Sequence, residues 1–138
     1  MKTFFLSLIG AGMLICACNN SNKTAGGTTG NASDLPKMKF EKEAYDFGKI
    51  KSGVKVSYDF KFTNTGNAPL IITDARATCG CTKPEWPHMP IKPGDNGVIH
   101  VTFNSAGRQG LTDKQITVTA NTNPAQNMVH LVGEVLKQ

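Results

Sequence analysis

Apolar and polar side chains alternate with a period of two along most of this chain, and this pattern restricts it to β structure. The clearest case is the segment 54–63, VKVSYDFKFT, in which every second residue is apolar. Successive side chains of a strand point to opposite faces, so the segment predicts a strand with one buried and one solvated face. No segment has the sustained period of 3.6 that would predict an amphipathic helix.

The same pattern predicts about seven strands in roughly 100 residues. Turn residues separate them, above all in the segments Asn64–Asn67 and Pro93–Gly97. Short strands with frequent turn signals are typical of an immunoglobulin-like fold, so the predicted fold class is an all-β, antiparallel β-sandwich. The six further strands are expected near 39–41, 45–47, 69–76, 99–103, 116–118 and 129–135.

The inward positions of these strands predict one hydrophobic core. At about 1.5–3 kcal/mol per fully buried large side chain, such a core stabilises the domain without a disulfide. The predicted core residues are Phe47, Val56, Tyr58, Phe60, Phe62, Leu70, Ile72, Ile99, Val101, Phe103, Ile116, Val118, Leu131 and Val135.

The first eighteen residues have the organisation of a lipoprotein signal peptide. A basic start, Met1–Lys2, precedes an apolar stretch at 4–15, which at about a dozen residues is too short to span a bilayer. The sequence Leu-Ile-Cys-Ala-Cys at its end reads as a lipobox, which predicts cleavage after Ala17 and lipidation of Cys18. The lipid on this residue is expected to include palmitate. An ordinary secretory signal that is cut elsewhere is the alternative.

This signal divides the chain into three predicted parts: a cleaved signal peptide at 1–17, the lipidated Cys18 with a flexible tether at 18–35, and the β-sandwich at 36–138. Residues 19–33 are small and polar, and they cannot bury enough apolar surface to offset their ordering entropy. As a coil of about fifteen residues they reach roughly 20–23 Å. We therefore expect a cell-envelope protein that contacts the membrane through its lipid, in the outer membrane, with the domain on the periplasmic or the surface face.

The charge pattern argues against nucleic acid as a partner. Without Lys2 the chain carries fourteen basic residues (fifteen less one) against ten acidic ones, a net charge of +4. The lysines are spread over alternating strands, whereas a nucleic-acid surface gathers them in one stripe or patch. Solvated strand faces account for them better.

Cys79 and Cys81 are the most distinctive chemical feature of the predicted domain. In an oxidising envelope they could form a disulfide, although so short a loop constrains the unfolded chain by only about 1.6 kcal/mol. As thiolates they could bind Cu(I) or Zn(II) together with His88 or Met89. Thiol–disulfide catalysis is a third hypothesis, but it usually uses Cys-x-x-Cys at a helix N-terminus. Free thiols complete the alternatives, and copper or zinc is the only cofactor that these residues suggest.

The four prolines between residues 84 and 93 recur at every third position, which is the period of polyproline II. In that form ten residues reach roughly 28 Å, enough to cross from one sheet to the other. The side chains between the prolines would form a semi-rigid partner-binding loop with a tryptophan anchor, or they would cap the open end of the sandwich. These side chains are Trp86, His88, Met89 and Ile91.

Nothing in the sequence predicts catalysis. It contains no glycine-rich phosphate loop, no Gly-x-Ser-x-Gly and no His-Glu-x-x-His. His100 and His130 fall within predicted strands, on the faces opposite the apolar rows, and are expected to be partly exposed. We therefore do not expect an enzyme.

Several short motifs together are similar to those of an uncharacterised bacterial envelope family. They cover about residues 38–136, and the resemblance implies an immunoglobulin-like domain of the Hydin and PapD type at the cell envelope, without a known mechanism. The motifs are YDFGKI at 45–50 with Gly53, FKFTNTG at 60–66, Cys-Gly-Cys-Thr at 79–82, Pro-Ile-Lys-Pro-Gly at 90–94, GVIHVTF at 97–103 and LVGEV at 131–135.

Two functional hypotheses from different classes follow from these observations. The first is a lipid-anchored, non-catalytic binding or structural module that holds an envelope protein or a glycan through its sheet edges or the loop 79–93. The second is a metal or thiol-redox handler whose chemical pair is Cys79 and Cys81.

Overall fold

Eight strands build the described part of the chain. A computed structural model describes residues 34–137; the predicted signal peptide, Cys18 and residues 19–33 of the predicted tether lie outside the described residues. Residues 34–137 contain no helix, and so none that could cross a membrane. The strands are β1 (Met38–Phe40), β2 (Ala44–Lys51), β3 (Lys55–Asn64), β4 (Ile72–Ala77), β5 (Thr82–Glu85), β6 (Asn96–Asn104), β7 (Gly110–Ala120) and β8 (Gln126–Leu136).

The strands form two four-stranded sheets with the core between them. Sheet A has the strand order β1-β3-β6-β5, and sheet B has the order β2-β8-β7-β4. The neighbouring strands are antiparallel except for β2 and β8, which run parallel. The predicted all-β, immunoglobulin-like sandwich is confirmed, with eight strands in place of about seven. Side-chain alternation is the same in both strand directions, so it does not predict the parallel pair.

Alternation decides which side chains enter the core. In β3, Phe60 and Phe62 are buried, whereas Asp59 and Lys61 are exposed. Most of the predicted core is confirmed, and the prediction omits Ala75, Ile91, Ala120 and Val129. The buried apolar residues are Phe60, Phe62, Leu70, Ile72, Ala75, Ile91, Ile99, Val101, Phe103, Ile116, Val118, Ala120, Val129, Leu131 and Val135.

Three predicted core residues are only half-buried. β1 pairs with β3 over residues 62–64 alone, so the rest of β3 is an open edge, and Val56 and Tyr58 lie beside it. Tyr58 stacks on Tyr45 of β2 with ring centroids 3.8 Å apart, which closes the gap between the sheets. Phe47 lies on β2, at the edge of sheet B. The prediction of full burial is wrong for these residues because alternation does not reveal which strands lie at an edge.

The stretch after the cysteines contains a strand that the sequence does not predict. Residues Thr82–Glu85 form β5, which pairs with β6. The prediction of a continuous polyproline II segment is wrong, because Pro84 lies in β5 and Pro93 lies in a turn. Proline is compatible with an edge strand when its missing N–H would face away from the sheet.

The outer edge of β5 is closed to other strands. The N–H of Asn104 donates to the carbonyl of Cys81, and by the antiparallel alternation this leaves Thr82 and Pro84 facing outward. Thr82 donates its N–H to the carbonyl of Cys79 at 3.2 Å, and Pro84 has no N–H. Within the described residues, β5 therefore offers an incoming strand no backbone donor, which is a recognised protection against edge pairing.

Replacing Pro84 by valine should create an outward-facing N–H and increase self-association, because the edge of sheet A would then accept a second strand. Sedimentation velocity over a range of protein concentrations measures this effect. Lys83→Val is the matched control, since the N–H of residue 83 faces β6. Identical sedimentation of both variants would show that proline does not protect this edge.

Asn64 is a fully buried polar residue whose side chain uses all of its hydrogen-bonding groups. Its Nδ2 donates to the carbonyls of Ala68 at 2.8 Å and Ile91 at 2.9 Å. Its Oδ1 accepts from the backbone N–H groups of Lys37 at 3.3 Å and Gly66 at 3.0 Å. One side chain thus joins the start of the domain, the β3–β4 turn and the segment before β6.

The antiparallel pairing of β3 with β6 gives the domain two ends. At one of them, which we call the entry end, the described chain begins, and it comprises residues 35–37, 65–69 and 91–95. The other, which we call the far end, comprises residues 51–55, 105–109 and 137. There the buried Ser105 donates its hydroxyl to the carbonyl of Val54 at 2.6 Å. Each end is therefore closed by a buried polar residue.

Replacing Asn64 by alanine should lower the free energy of unfolding by about 3 kcal/mol or more, because two backbone N–H groups and two carbonyls lose a buried partner. Urea denaturation measures this loss. Thr65→Ala, at the exposed neighbouring position, should change stability by less than about 0.5 kcal/mol. An equally small loss for both variants would contradict the role assigned to Asn64.

Candidate functional site

The cysteine turn, residues 78–81, carries the chain from sheet B to sheet A. It follows β4 of sheet B and precedes β5 of sheet A. Backbone hydrogen bonds hold both of its sides: Thr78 donates to the carbonyl of Gln115 at 3.1 Å, and Asn104 donates to the carbonyl of Cys81 at 2.8 Å. The crossover that the sequence predicts for the proline stretch is thus made by the cysteine turn.

A disulfide joins Cys79 and Cys81 in this turn. Both cysteines are half-buried, and the hydroxyl of the buried Thr82 lies 3.7 and 3.8 Å from the two sulfurs. A disulfide has no thiolate to offer a metal ion. In this state the turn acts as a closed connection between the sheets.

The structure does not bring the other predicted metal ligands to the cysteines. His88 and Met89 follow β5, whereas Cys79 and Cys81 precede it. Four strand residues span about 13 Å, and ligands of one metal ion lie within about 5 Å of each other. Within residues 34–137, no three His, Cys, Asp or Glu side chains are placed to hold a metal ion. The four-residue site is therefore not assembled in this structure.

The predicted partner-binding loop divides into anchored and exposed residues. Ile91 is only 7% exposed and exchanges two backbone hydrogen bonds of 2.8 Å with Leu70, so it belongs to the core and cannot contact a partner. Trp86 is half-buried against the core, and its ring lies 5.4 Å from that of His88. Met89 is 79% exposed. Two residues of the predicted loop, His88 and Met89, are thus exposed to solvent.

A row of four polar side chains, which the sequence analysis misses, crosses the outer face of sheet A. Asp59 Oδ1 lies 2.5 Å from His100 Nδ1. His100 Nε2 lies 3.4 Å from Thr102 Oγ1, which in turn lies 3.1 Å from Ser57 Oγ. Alternation places each residue on the outer face, but only the register of β3 against β6 brings them into one row.

This row lies open to solvent. The order carboxylate, imidazole, hydroxyl is that of a general-base relay, yet the side chains of His100 and Asp59 are 43% and 58% exposed. Water reaches the imidazole freely there, whereas efficient relays work where water is excluded. A groove of about 620 Å³ beside the row is lined by charged residues that include Glu41, Lys42 and Lys61.

A second histidine–aspartate pair lies on the outer face of sheet B. His130 Nδ1 is 2.9 Å from Asp113 Oδ1, and the two residues are diagonal neighbours on β8 and β7. Both histidines are partly exposed strand residues. Cross-strand pairs of this kind stabilise a sheet surface modestly.

These features define an immunoglobulin-like β-sandwich of the PapD type with a disulfide-bonded crossover between its sheets. The ASH/PapD-like domain 7 of human CEP192 has this fold, with a TM-score of 0.56, 11% identity and coverage of 99% of both chains. The YadV chaperone also has it, with a TM-score of 0.51, 14% identity and coverage of 71% of this chain and 51% of that one. At such low identities the similarity concerns the fold alone.

The chain belongs to the family described as "Protein of unknown function (DUF1573)", whose model matches residues 38–135. The predicted membership in an uncharacterised domain family is thereby confirmed. A protein of unknown function from Porphyromonas gingivalis W83 is similar in structure, with a TM-score of 0.65 and 16% identity over 76% of this chain. This chain spans about half of that structure, 49% of its length. Among curated proteins, none matches the sequence.

Replacing both cysteines of the turn by serine should lower the free energy of unfolding by no more than about 1.6 kcal/mol, because the disulfide closes a loop of only three residues. Urea denaturation with and without reductant measures the effect. The reductant should destabilise the unaltered protein by a similar amount and leave the double variant unchanged. A loss of several kcal/mol would show that the disulfide, and not the core, holds the two sheets together.

Proposed function

We propose that this protein is a non-catalytic binding or structural module of the cell envelope, held by lipid on Cys18. The signal pattern and the lipobox support the anchor, and the small polar residues 19–33 support a flexible tether. The described chain begins at the entry end, beside Asn64. An anchored domain would therefore direct its entry end toward the outer membrane and its far end away from it.

The observation that supports the binding role is an exposed apolar side chain on a loop that is held at both ends. Met89 is 79% exposed, yet the loop that carries it is fixed on both sides. Before it, Glu85 pairs with His100 in sheet A; after it, Ile91 is held by Leu70 and by the amide of Asn64. A pre-ordered loop loses little entropy when it binds, which favours affinity.

Trp86 and His88 extend this surface. The half-buried indole packs on the core and gives the loop its aromatic anchor, as at many binding hot spots. Its edge-to-face contact with His88 leaves a polar group next to the exposed Met89. An apolar contact flanked by an imidazole suits an envelope protein or a glycan, which are the two partner classes that we propose.

Photo-crosslinking in whole cells tests this proposal. A benzoyl-phenylalanine that replaces Met89 should yield a discrete crosslinked product, because this position faces the partner. The same residue in place of Met128, which is also exposed but lies on sheet B, is the matched control and should yield none.

Palmitate labelling in the same cells tests the lipid anchor separately. Labelled palmitate should enter the unaltered protein and be absent from Cys18→Ala, because that sulfur is the acylated atom. Labelling of Cys18→Ala would contradict the lipid anchor. Products of equal yield at positions 89 and 128, or at neither, would contradict the loop as the binding surface.

A further inference from the structure

Five exposed basic residues lie at the far end or, in the case of Lys83, next to it. Lys51 ends β2, Lys55 begins β3, and Lys83 lies in β5. Arg108 lies in the β6–β7 turn, and Lys137 follows β8. All five side chains are exposed. We call this surface the basic end.

Pairing brings these residues to one end although they span 87 positions of the sequence, from 51 to 137. Lys55 is paired with Asn104 at the end of β6, and Lys83 is paired with Thr102 on the other side of that strand. Lys55 and Lys83 therefore lie about 12 Å apart, across one intervening strand and two residues along it. The N–H of Ser52, next to Lys51, donates to the carbonyl of Leu136, next to Lys137.

The positive charge of the basic end is not neutralised by the described residues. None of the five cations makes an ion pair with any residue between 34 and 137, and the far-end segments 51–55 and 105–109 contain no Asp or Glu. The entry end differs, because Lys37 and Lys92 are matched there by Asp34 and Asp95. The far-end segments thus carry an excess of positive formal charge that the entry end does not have.

Two grooves lie at the basic end, one on each side of the β6–β7 turn. The first, of about 310 Å³, is lined by Arg108 and Lys137 together with Ser52. The second, of about 320 Å³, is lined by Lys55 and Lys83 together with Cys81 of the cysteine turn. No aromatic ring lies among the described residues that line them.

We propose that the basic end binds a carboxylate-rich segment of a protein partner. Lysine and arginine side chains around a concave surface raise the local concentration of anions and accelerate their binding. A segment that crosses the β6–β7 turn would place carboxylates in both grooves. The closed outer edge of β5 means that recognition there rests on side-chain charge and not on the addition of a strand.

A protein segment fits better than the other anionic surfaces of an envelope. A glycan is usually held by a ring that stacks on an aromatic side chain, and these grooves offer none. An anionic bilayer is disfavoured because the basic end lies opposite the entry end. This last argument rests on the proposed function, which places the entry end toward the membrane.

Fluorescence anisotropy with the full chain in a non-ionic detergent tests the inference. The probe is a labelled peptide of alternating Glu and Gly. It should bind, with an affinity that falls as salt is raised from roughly 50 to 300 mM, because salt screens exposed charges. A charge-reversed variant at Lys55, Lys83 and Arg108, each replaced by Glu, should bind about tenfold or more weakly.

The matched control reverses Lys37, Lys39 and Lys92, which changes the net charge equally at the entry end. It should keep its affinity within about twofold. Thermal unfolding shows whether the Glu variant folds. If it does not, a variant with Gln at positions 55, 83 and 108 replaces it in the experiment and should also bind the peptide more weakly. Equal losses for both ends, or no binding at all, would overturn the proposal.

Two further probes separate the alternatives. Polygalacturonate that binds more tightly than the peptide would assign the basic end to a glycan, and phosphatidylglycerol vesicles that bind more tightly would assign it to a membrane. Either result would overturn the protein-segment proposal. Neither probe result depends on palmitate labelling or on crosslinking at position 89. A failure of the protein-segment proposal therefore does not contradict the proposed envelope function.

Discussion

The buried amide of Asn64 is the interaction on which the arrangement of the domain most depends. Its four hydrogen bonds join three segments that are distant in sequence, and it lies where water cannot replace them. The loop with Met89 is rigid because Ile91 at its end is held by this amide and by Leu70. A buried polar residue with all its groups satisfied specifies one packing among many that an apolar core would permit.

The passage from sheet B to sheet A is the second constraint. A short turn makes this passage, and the turn is closed by the Cys79–Cys81 disulfide. The carbonyl of Cys79 also accepts the outward N–H of Thr82, so the same turn helps to close the edge of sheet A. With Pro84 beside it, this device protects the β5 edge of sheet A from pairing with other strands. At this edge, recognition is thereby left to loops and side chains.

Two surfaces at different places along the domain are available for such recognition. One is apolar, small and rigid, and it is centred on Met89. The other is basic, and it lies at the end of the domain where β3 begins and β8 ends. A module tethered at its entry end would hold the Met89 surface near the membrane, since Met89 lies two residues before Ile91 of the entry end, and would hold the basic end farthest from the lipid.

The alternation of side chains was sufficient by itself to predict a β-sandwich and most of its core, because burial in a strand depends on local period. The lipobox and the tether are likewise predicted from local patterns. The sequence left a Cys79–Cys81 disulfide as one of several alternatives, and the structure contains it. The parallel course of β2, the strand formed by Thr82–Glu85 and the burial of Ile91 depend on which segments become neighbours. The row from Asp59 to Ser57 and the basic end arise in the same way, since pairing across strands collects side chains that are scattered in sequence. Only the tertiary structure decides such assemblies, because register and connection are set by contacts between distant segments.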